Sequence, residues 1–447
     1  CAYGFFTISR RWLFAGIIGA FAGGAVGGQM VFRRSYFHDS MPNTYYLKLY
    51  KIHTAERVKR GAFVALDVLA FHLAVPLSIV AASIDLERPS LAWAKRIWAD
   101  KTQRRLVLLG TLFVAQIAYA TYVGGDAWEW MFYANRYMTA GMPALVVLVA
   151  VLVERAIAKK DHADFAKRFA YGLIVCGGVL VALNLFAKKF SEEGIAATIT
   201  FSKTLFVAGG ALLLAGVLLR LKDTRHGLVE GLAWLKRRLA SRQTVAFAAL
   251  LVTALVWLPC HLVPFGRWAA SNAAQYVDEA RYTRTGLLIQ AETKPDFRIA
   301  VAAAGATPYF AQRPTEDLLG KNDKYIAHLA PRGVFSPGHD KWDYSYSLGQ
   351  HQAQLVVETV DVNDADEAYM KTLGFEELKN GMRLRRGADV KDRELFGLDQ
   401  TNNDNIGSTL DALGYTLPRA FGAMDLIMVV VFGFVAAGVA RRIVKDE

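Results

Sequence analysis

The chain has 447 residues, 53% of them hydrophobic and 21% charged, with a formal net charge of +12. That apolar share is too high for an ordinary soluble protein of this length. The positive charge lies in short stretches between apolar runs, which marks membrane topology and not a nucleic-acid footprint. From the start of the chain, Cys1–Ala2–Tyr3–Gly4–Phe5–Phe6 reads as the tail of an earlier membrane helix, since a signal peptide needs a basic start and a cleavage site. On this reading the sequence is the later part of a longer protein. Eight apolar runs follow, at about 12–32, 62–84, 104–123, 141–157, 169–187, 203–221, 244–262 and 425–440. Each is near the roughly 20 residues that cross a hydrocarbon core. Pro76 and the glycines of 15–28 predict kinks and close helix contacts. Cys176 and Cys260 lie in apolar runs as packing residues, and with Cys1 they show no metal-type spacing and no disulfide framework.

Lys and Arg set the orientation. Arg10 and Arg11, the cluster from Arg88 to Arg105, that from Arg155 to Arg168, that from Arg220 to Arg242, and Arg441, Arg442 and Lys445 alternate correctly if all face the cytoplasm. The opposite side then holds 33–61, 125–140, 188–202 and the long segment 263–424. Loop 33–61 breaks the rule, because it carries Arg33, Arg34, Lys48, Lys51, Arg57, Lys59 and Arg60 on the outer side. One reading is an interfacial helix from Thr44 to Arg60 that snorkels to lipid phosphates. The other is attraction to a phosphate-bearing lipid substrate.

A second outer loop holds Gly124, Gly125, Asp126, Trp128, Glu129, Trp130, Asn135, Arg136 and Tyr137. The glycine pair turns the backbone sharply at the membrane surface. Its acid and Arg read either as part of an interfacial belt or as groups facing a polar cavity. Segment 263–424 reads as a soluble domain of about 160 residues, enough for its own core. Strand-like runs fall at Arg298–Ala304 and Leu355–Val360, helix-like patterns at Ser271–Thr293 and Asp366–Leu373, with frequent turn residues between. The fold class is therefore a multi-pass α-helical membrane protein, with about eight transmembrane helices and a small extracytoplasmic α/β or α+β domain. Its parts are 1–262 with outer loops 33–61 and 124–140, 263–424, and a last helix and cytoplasmic tail at 425–447. No Walker loop, GxSxG elbow, HExxH or paired CxxC is present. Asp67, His72 and Asn184 stand in apolar surroundings, where they make either interhelical hydrogen bonds or a polar path.

Three stretches carry a resemblance. They are Met41–Pro42–Asn43–Thr44–Tyr45–Tyr46–Leu47–Lys48, then Gly124–Gly125–Asp126 with Arg136 and Pro143, then a series in the soluble domain. That series holds Ala304–Gly305, Tyr309–Phe310, Arg313, Asp317–Leu318, Gly320, Asn322–Asp323, Ile326–Ala327–His328 and Gly338–His339–Asp340–Lys341. In these the chain resembles the GT-C membrane glycosyltransferases, in particular the branch of arabinofuranosyltransferases that finish cell-wall arabinan. Arg136 stands ten residues after Asp126, wider than that family's spacing, and Glu316 precedes Asp317 where an aliphatic residue is usual.

The resemblance implies transfer of a sugar, arabinofuranose or similar, from a polyprenyl-phosphate donor to a glycan or lipid acceptor outside the cytoplasmic membrane. It assigns the catalytic acid to a loop upstream of Cys1, with Asp126 as the fallback within this chain. The phosphate leaving group gains charge, so Arg33, Arg34, Lys48 and Arg136 are expected on donor phosphate, with Asn43, Tyr45, Tyr46 and Asp126 beside the donor. Trp128, Trp130, Tyr309, His339 and Lys341 are expected on the acceptor. For Gly305, Tyr309 and Asp317 the competing reading is a domain-core turn with buried hydrogen bonds. The superfamily admits a divalent metal, but no ligand set is visible and no cofactor is assigned. The rival functions are a transporter or flippase of a lipid-linked glycan, and a non-catalytic partner in envelope assembly.

Overall fold

A computed structural model describes residues 11–83, 95, 97–126, 135–158, 162–192, 203–238, 243–244, 246–247, 251, 277–333, 335–397 and 435. The chain divides into two compact units. One is Cys1–Ile52, Arg281–Gly333 and Gly338–Ser408; the other is His53–Ala280, Val334–Pro337 and Thr409–Glu447. The boundary near residue 52 differs from the sequence expectation, which left 33–61 with the membrane helices.

The first unit opens with α1 (Arg11–Tyr36), whose apolar window is unburied. A turn and the short α2 (Asn43–Leu49) follow, and the unit continues in α11 (Val277–Glu292). Next come β1 (Ile299–Val301), α12 (Ala306–Ala311), β2 (Thr315–Asp317) and α13 (Lys324–Ala327). A π-helical turn at Ser345–Gln350 leads to β3 (Leu355–Val356), α14 (Asp364–Thr372), β4 (Phe375–Glu377), β5 (Arg383–Arg385) and α15 (Arg393–Phe396). The strands form one sheet in the order β2-β1-β3-β5-β4, parallel across β2-β1-β3 and antiparallel from β3 to β4.

Strand alternation sorts the sheet's core into two layers. Ile299, Val301, Leu355 and Leu384 join Ile289, Phe297 and Phe396 on one face, and Ala300 and Val356 join Trp342, Tyr344, Leu348 and Met370 on the other. The strand-like runs at 298–304 and 355–360 and the helical patterns around 271–293 and 366–373 correspond to β1, β3, α11 and α14. The sequence reading missed β2, β4 and β5. They are only three residues each and carry charge, as in Thr315–Glu316–Asp317, so they give no apolar period.

The second unit is helical: α3 (Thr54–His72), α4 (Ala74–Ser83), α5 (Lys101–Val123), α6 (Arg136–Thr139), α7 (Met142–Ala158), α8 (His162–Glu192), α9 (Lys203–Leu218) and α10 (Lys222–Arg238). Leu145 to Leu152 of α7 are all buried, so this helix is apolar on every side and sits in the core with Leu73, Leu106 and Phe113. Glycines bring the helices together. Gly61 of α3 lies on the Thr121 backbone of α5, and a Cβ at Gly177 of α8 would stand 2.7 Å from the Gly209 carbonyl of α9.

Three described helices are long and apolar enough to cross a membrane: Trp12–Tyr36, Lys101–Val123 and His162–Leu185. The eight runs of the sequence are realised unevenly. The second is divided at Leu73 into α3 and the apolar α4, with Pro76 in the restarted first turn where its missing N–H costs least. The fourth forms 17 residues of helix and the sixth 16. All but a few residues of the seventh and eighth lie outside the described residues.

Candidate functional site

In the helical unit the site is built on the end of α5. Gly124 (φ 94°) and Gly125 (φ 84°) both take left-handed backbone, which a side chain would strain. The Gly125 N–H returns to the Ala120 carbonyl at 2.9 Å, and the chain turns so that Asp126 is fully buried. Nine residues on, Asn135 caps α6, its side chain accepting from the N–H groups of Tyr137 (3.0 Å) and Met138 (3.2 Å). The cap delivers Arg136 to Asp126. Arg136 Nε donates to Oδ2 at 2.7 Å, Nη2 to Oδ1 at 2.6 Å, and its backbone N–H to Oδ2 at 3.1 Å. This is a bidentate pair with its carboxylate enclosed and its Arg side chain 62% exposed.

Two further arginines complete the turn. Arg57 and Arg60, three apart on one face of α3, are both buried. Arg57 Nη1 donates to the Tyr122 carbonyl at 3.2 Å and Nη2 to Thr54 Oγ1 at 3.1 Å, with the guanidinium 4.8 Å from the Tyr122 ring centroid. Arg60 donates to the carbonyls of Gly124 and Asp126, the latter at 3.3 Å, and lies over the Phe335 ring. The last carbonyls of α5 are acceptors that its own helix cannot satisfy, and the two cations meet them there. Sequence reasoning counted Arg57 and Arg60 only as loop charge; their i,i+3 spacing before an apolar run was the available signal.

In the sheet unit the second candidate surface forms where 38–51 is fastened to the domain. The interfacial helix expected from Thr44 to Arg60 does not form. The chain breaks after α2, with Lys51 at φ 60°, and α3 begins afresh at Thr54. Lys341 is the main fastening. It is fully buried, and its ammonium donates to the carbonyls of Tyr46 and Tyr50 at 2.9 Å each and of Ala327 at 3.2 Å. Three donors meet three acceptors, and burial lowers its pKa to about 8 while Asp340 opposes the shift.

A second fastening centres on Asp39. The Tyr46 hydroxyl donates to Oδ1, and His328 Nε2 and Lys324 Nζ lie 3.2 and 3.7 Å from Oδ2. Burial pushes the Asp39 carboxyl up, but the Tyr46 hydroxyl and the charges of His328 and Lys324 outweigh it and hold the group below its ordinary value. The Tyr46 ring lies on the His328 ring, centroids 3.9 Å apart. Lys51 donates to the His328 carbonyl at 3.1 Å and Lys324 to that of His38 at 2.8 Å.

The expected donor residues thus fall in two places. Asp126 and Arg136 are paired in the helical unit. Asn43, Tyr46 and Lys48 are gathered in the sheet unit, where Asn43 Nδ2 donates to the Lys321 carbonyl at 3.3 Å and the Lys48 stem runs beside Gly338. Tyr45 is 40% exposed beside them. Arg33, half-buried, and Arg34, exposed, end α1.

Of the expected acceptor residues, His339 lies 3.5 Å from Lys321 Nζ and Tyr309 is 76% exposed against Phe310. Lys341 is not an acceptor contact in this conformation, because all its donors are spent on backbone carbonyls. Trp128 and Trp130 lie outside the described residues, as do the side chains of Asp67 and His72. Asn184 is buried and donates to the Leu180 carbonyl of its own helix at 3.3 Å.

Other motif residues hold the domain's frame. Asp317 accepts from the N–H groups of Asn322 (2.6 Å) and Leu319 (3.0 Å), its carboxyl raised by burial. Arg313 donates to the carbonyls of Gln290 (2.8 Å) and Thr293 (2.6 Å) at the end of α11. Among the described residues no three His, Cys, Asp or Glu side chains gather as metal ligands.

Residues 271–392 match a family profile described as Domain of unknown function (DUF8728), and this stretch contains the whole sheet from β1 to β5. No curated protein and no solved structure matches the chain.

Proposed function

We propose that the chain is the helical and acceptor-domain part of a multi-pass glycosyltransferase of the cytoplasmic membrane. It moves a sugar such as arabinofuranose from a polyprenyl-phosphate donor to an envelope glycan or lipid on the outer side. The observation that carries this reading is the Asp126–Arg136 pair: an enclosed carboxylate that orients a largely exposed guanidinium at the end of an apolar helix. When the glycosidic bond breaks, the phosphate diester becomes a monoester and gains charge. An arginine already held by its Nε and Nη2 edge meets that charge without reorganising.

Both Asp126 oxygens accept from Arg136, which favours an orienting role for Asp126 over proton transfer. The base is then a group other than Asp126. The reading includes eight spans, with the Lys/Arg-rich stretches inside and Asp126 and the sheet domain outside. The resemblance assigns Lys48 to donor phosphate as well; within the sheet unit its stem runs beside Gly338.

The test is transfer of labelled sugar from a polyprenyl-phosphate donor by membranes carrying the full-length protein. Arg136→Ala and Lys48→Ala are each expected to cut turnover by about 10²-fold, the usual cost of one charge-stabilising donor. Arg136→Lys should not restore it, because a lysine cannot make the bidentate contact with Asp126. Near-normal turnover in both alanine variants overturns the reading. Movement of a lipid-linked glycan with no new glycosidic bond would replace it by transport.

A further inference from the structure

One row of rings on the sheet unit belongs to none of the contacts above. Tyr325 of α13 and Tyr346 of the π-helical turn lie with centroids 4.3 Å apart and planes 31° apart. The His351 ring continues the row at 4.5 Å from Tyr346 and 61°. Tyr325 is 47% exposed, and Tyr346 and His351 are half-buried behind it.

Carboxylates border the row. The Tyr346 hydroxyl donates to Asp323 Oδ2 at 3.0 Å and the Tyr325 hydroxyl to Asp343 Oδ2 at 3.3 Å. His351 Nδ1 lies 3.1 Å from Glu316, which also takes Arg298 Nη1 at 3.2 Å. The carboxylates are themselves fixed. Asp323 Oδ1 accepts from the Ile326 N–H at 2.9 Å, and Asp343 Oδ1 accepts from the N–H groups of Ser345 (2.9 Å) and Tyr346 (3.1 Å). Burial, with Asp323 adding to it, pushes the Tyr346 phenol up to about 12, so it stays a donor through the neutral range.

The chemistry of the row selects its ligand. Three carboxylates repel an anion, and a wholly apolar partner would strip their hydration without replacing it. A cation is best held by rings facing it from several sides, whereas Tyr325 and Tyr346 lie side by side at 4.3 Å and 31°, with Tyr325 the exposed ring of the two. A sugar unit has a flat C–H face on one side and hydroxyls at its rim, which suits an aromatic face edged by fixed acceptors. We propose that Tyr325, Tyr346 and His351, edged by Asp323, Asp343 and Glu316, form a platform for a neutral glycan. As the place where the acceptor chain lies, the platform rests on the transferase reading; as a glycan site it stands without it.

Saturation-transfer NMR on the full chain in lipid nanodiscs tests this. The probes are a soluble arabinofuranose pentasaccharide, maltopentaose and tetramethylammonium. Saturation is expected to reach the ring C–H protons of at least one oligosaccharide. Tyr325→Ala should weaken its binding about tenfold or more, corresponding to loss of roughly 1.4 kcal/mol of stacking. Tyr325→Phe keeps the face and should bind within about threefold of the parent, which separates a lost platform from a lost fold. Saturation of neither oligosaccharide, unchanged binding by Tyr325→Ala, or displacement of the sugar by tetramethylammonium overturns the platform. Tyr325-dependent binding in a full-length protein that transfers no sugar would uphold the platform and remove the transferase reading.

Discussion

A fully buried lysine needs oxygen around it, and Lys341 has three carbonyls from two segments about 280 residues apart in sequence. Replacing it with methionine keeps the volume but leaves those carbonyls without a donor, so Lys341→Met should destabilise the sheet unit at every pH. The pH dependence has a defined sign. The unfolded lysine titrates near 10.5 and the folded one at about 8. Between those values the unfolded chain holds the extra proton, so parent stability rises with pH across that window, by about 3 kcal/mol at most. The difference in unfolding free energy between parent and Lys341→Met should therefore widen from pH 8 to 10.5; a difference that narrows would mean that the three carbonyls outweigh burial and raise the lysine's pKa. At Asp126, Asp126→Asn removes the charge facing Arg136 while keeping the size. It should cut sugar transfer at least tenfold without lowering the amount of folded protein recovered in detergent, since a neutral amide cannot meet two guanidinium donors as a carboxylate does. Transfer equal to the parent's would show that the guanidinium needs no orientation.

At the scale of elements, glycine has opposite meanings in different helices. Gly61 of α3 lies against the Thr121 backbone of α5, and backbone cannot move aside as a flexible side chain can. Gly61→Ala should cost about 1–3 kcal/mol through overpacking, read as a lower unfolding temperature of the purified chain. Gly24 of α1 has nothing within 4 Å. Gly24→Ala in the same assay should be neutral or slightly stabilising, because alanine favours helix by up to about 1 kcal/mol. Equal losses from both would mean that α3 and α5 are not in this contact. The basic stretch 33–61 also resolves by element. Arg57 and Arg60 end α5, while Lys51, Lys324 and Lys341 hold α2 and its flanks to the domain. Of the seven cations that read as lipid attraction, Lys51, Arg57 and Arg60 are therefore spent on carbonyls.

For the whole molecule the orientation of the loops is the sharpest claim of the proposed function. In the proposed topology Thr139, the exposed last residue of α6, falls in the outer set, and Arg237, exposed near the end of α10, in the inner set. In a chain freed of Cys1, Cys176 and Cys260, a cysteine at Thr139 should react with a membrane-impermeant maleimide on intact cells. One at Arg237 should react only after permeabilisation. The reverse pattern would put the Asp126–Arg136 pair on the cytoplasmic side and end the case for transfer outside.

The sequence alone determined the class of the chain: long apolar helices with basic flanks, and a separate sheet domain between turn-rich borders. These follow from local properties, run length, charge and period, which need no partner to be read. It also marked Asp126 and Arg136 as worth attention, because a glycine pair, an acid and an Arg are costly to place at a membrane surface without use. Tertiary structure decided what those groups do. That Arg136 grips Asp126 depends on the Gly124–Gly125 turn and the Asn135 cap acting together. That Lys341 is a fastening and not a glycan contact depends on carbonyls contributed by Tyr46 and Tyr50. The row of Tyr325, Tyr346 and His351 has no sequence period at all, since α13 and the π-helical turn are brought together by tertiary contacts. A side chain's type fixes what it can bond, but only the folded chain fixes which partner lies within the 3 Å or so that a hydrogen bond requires.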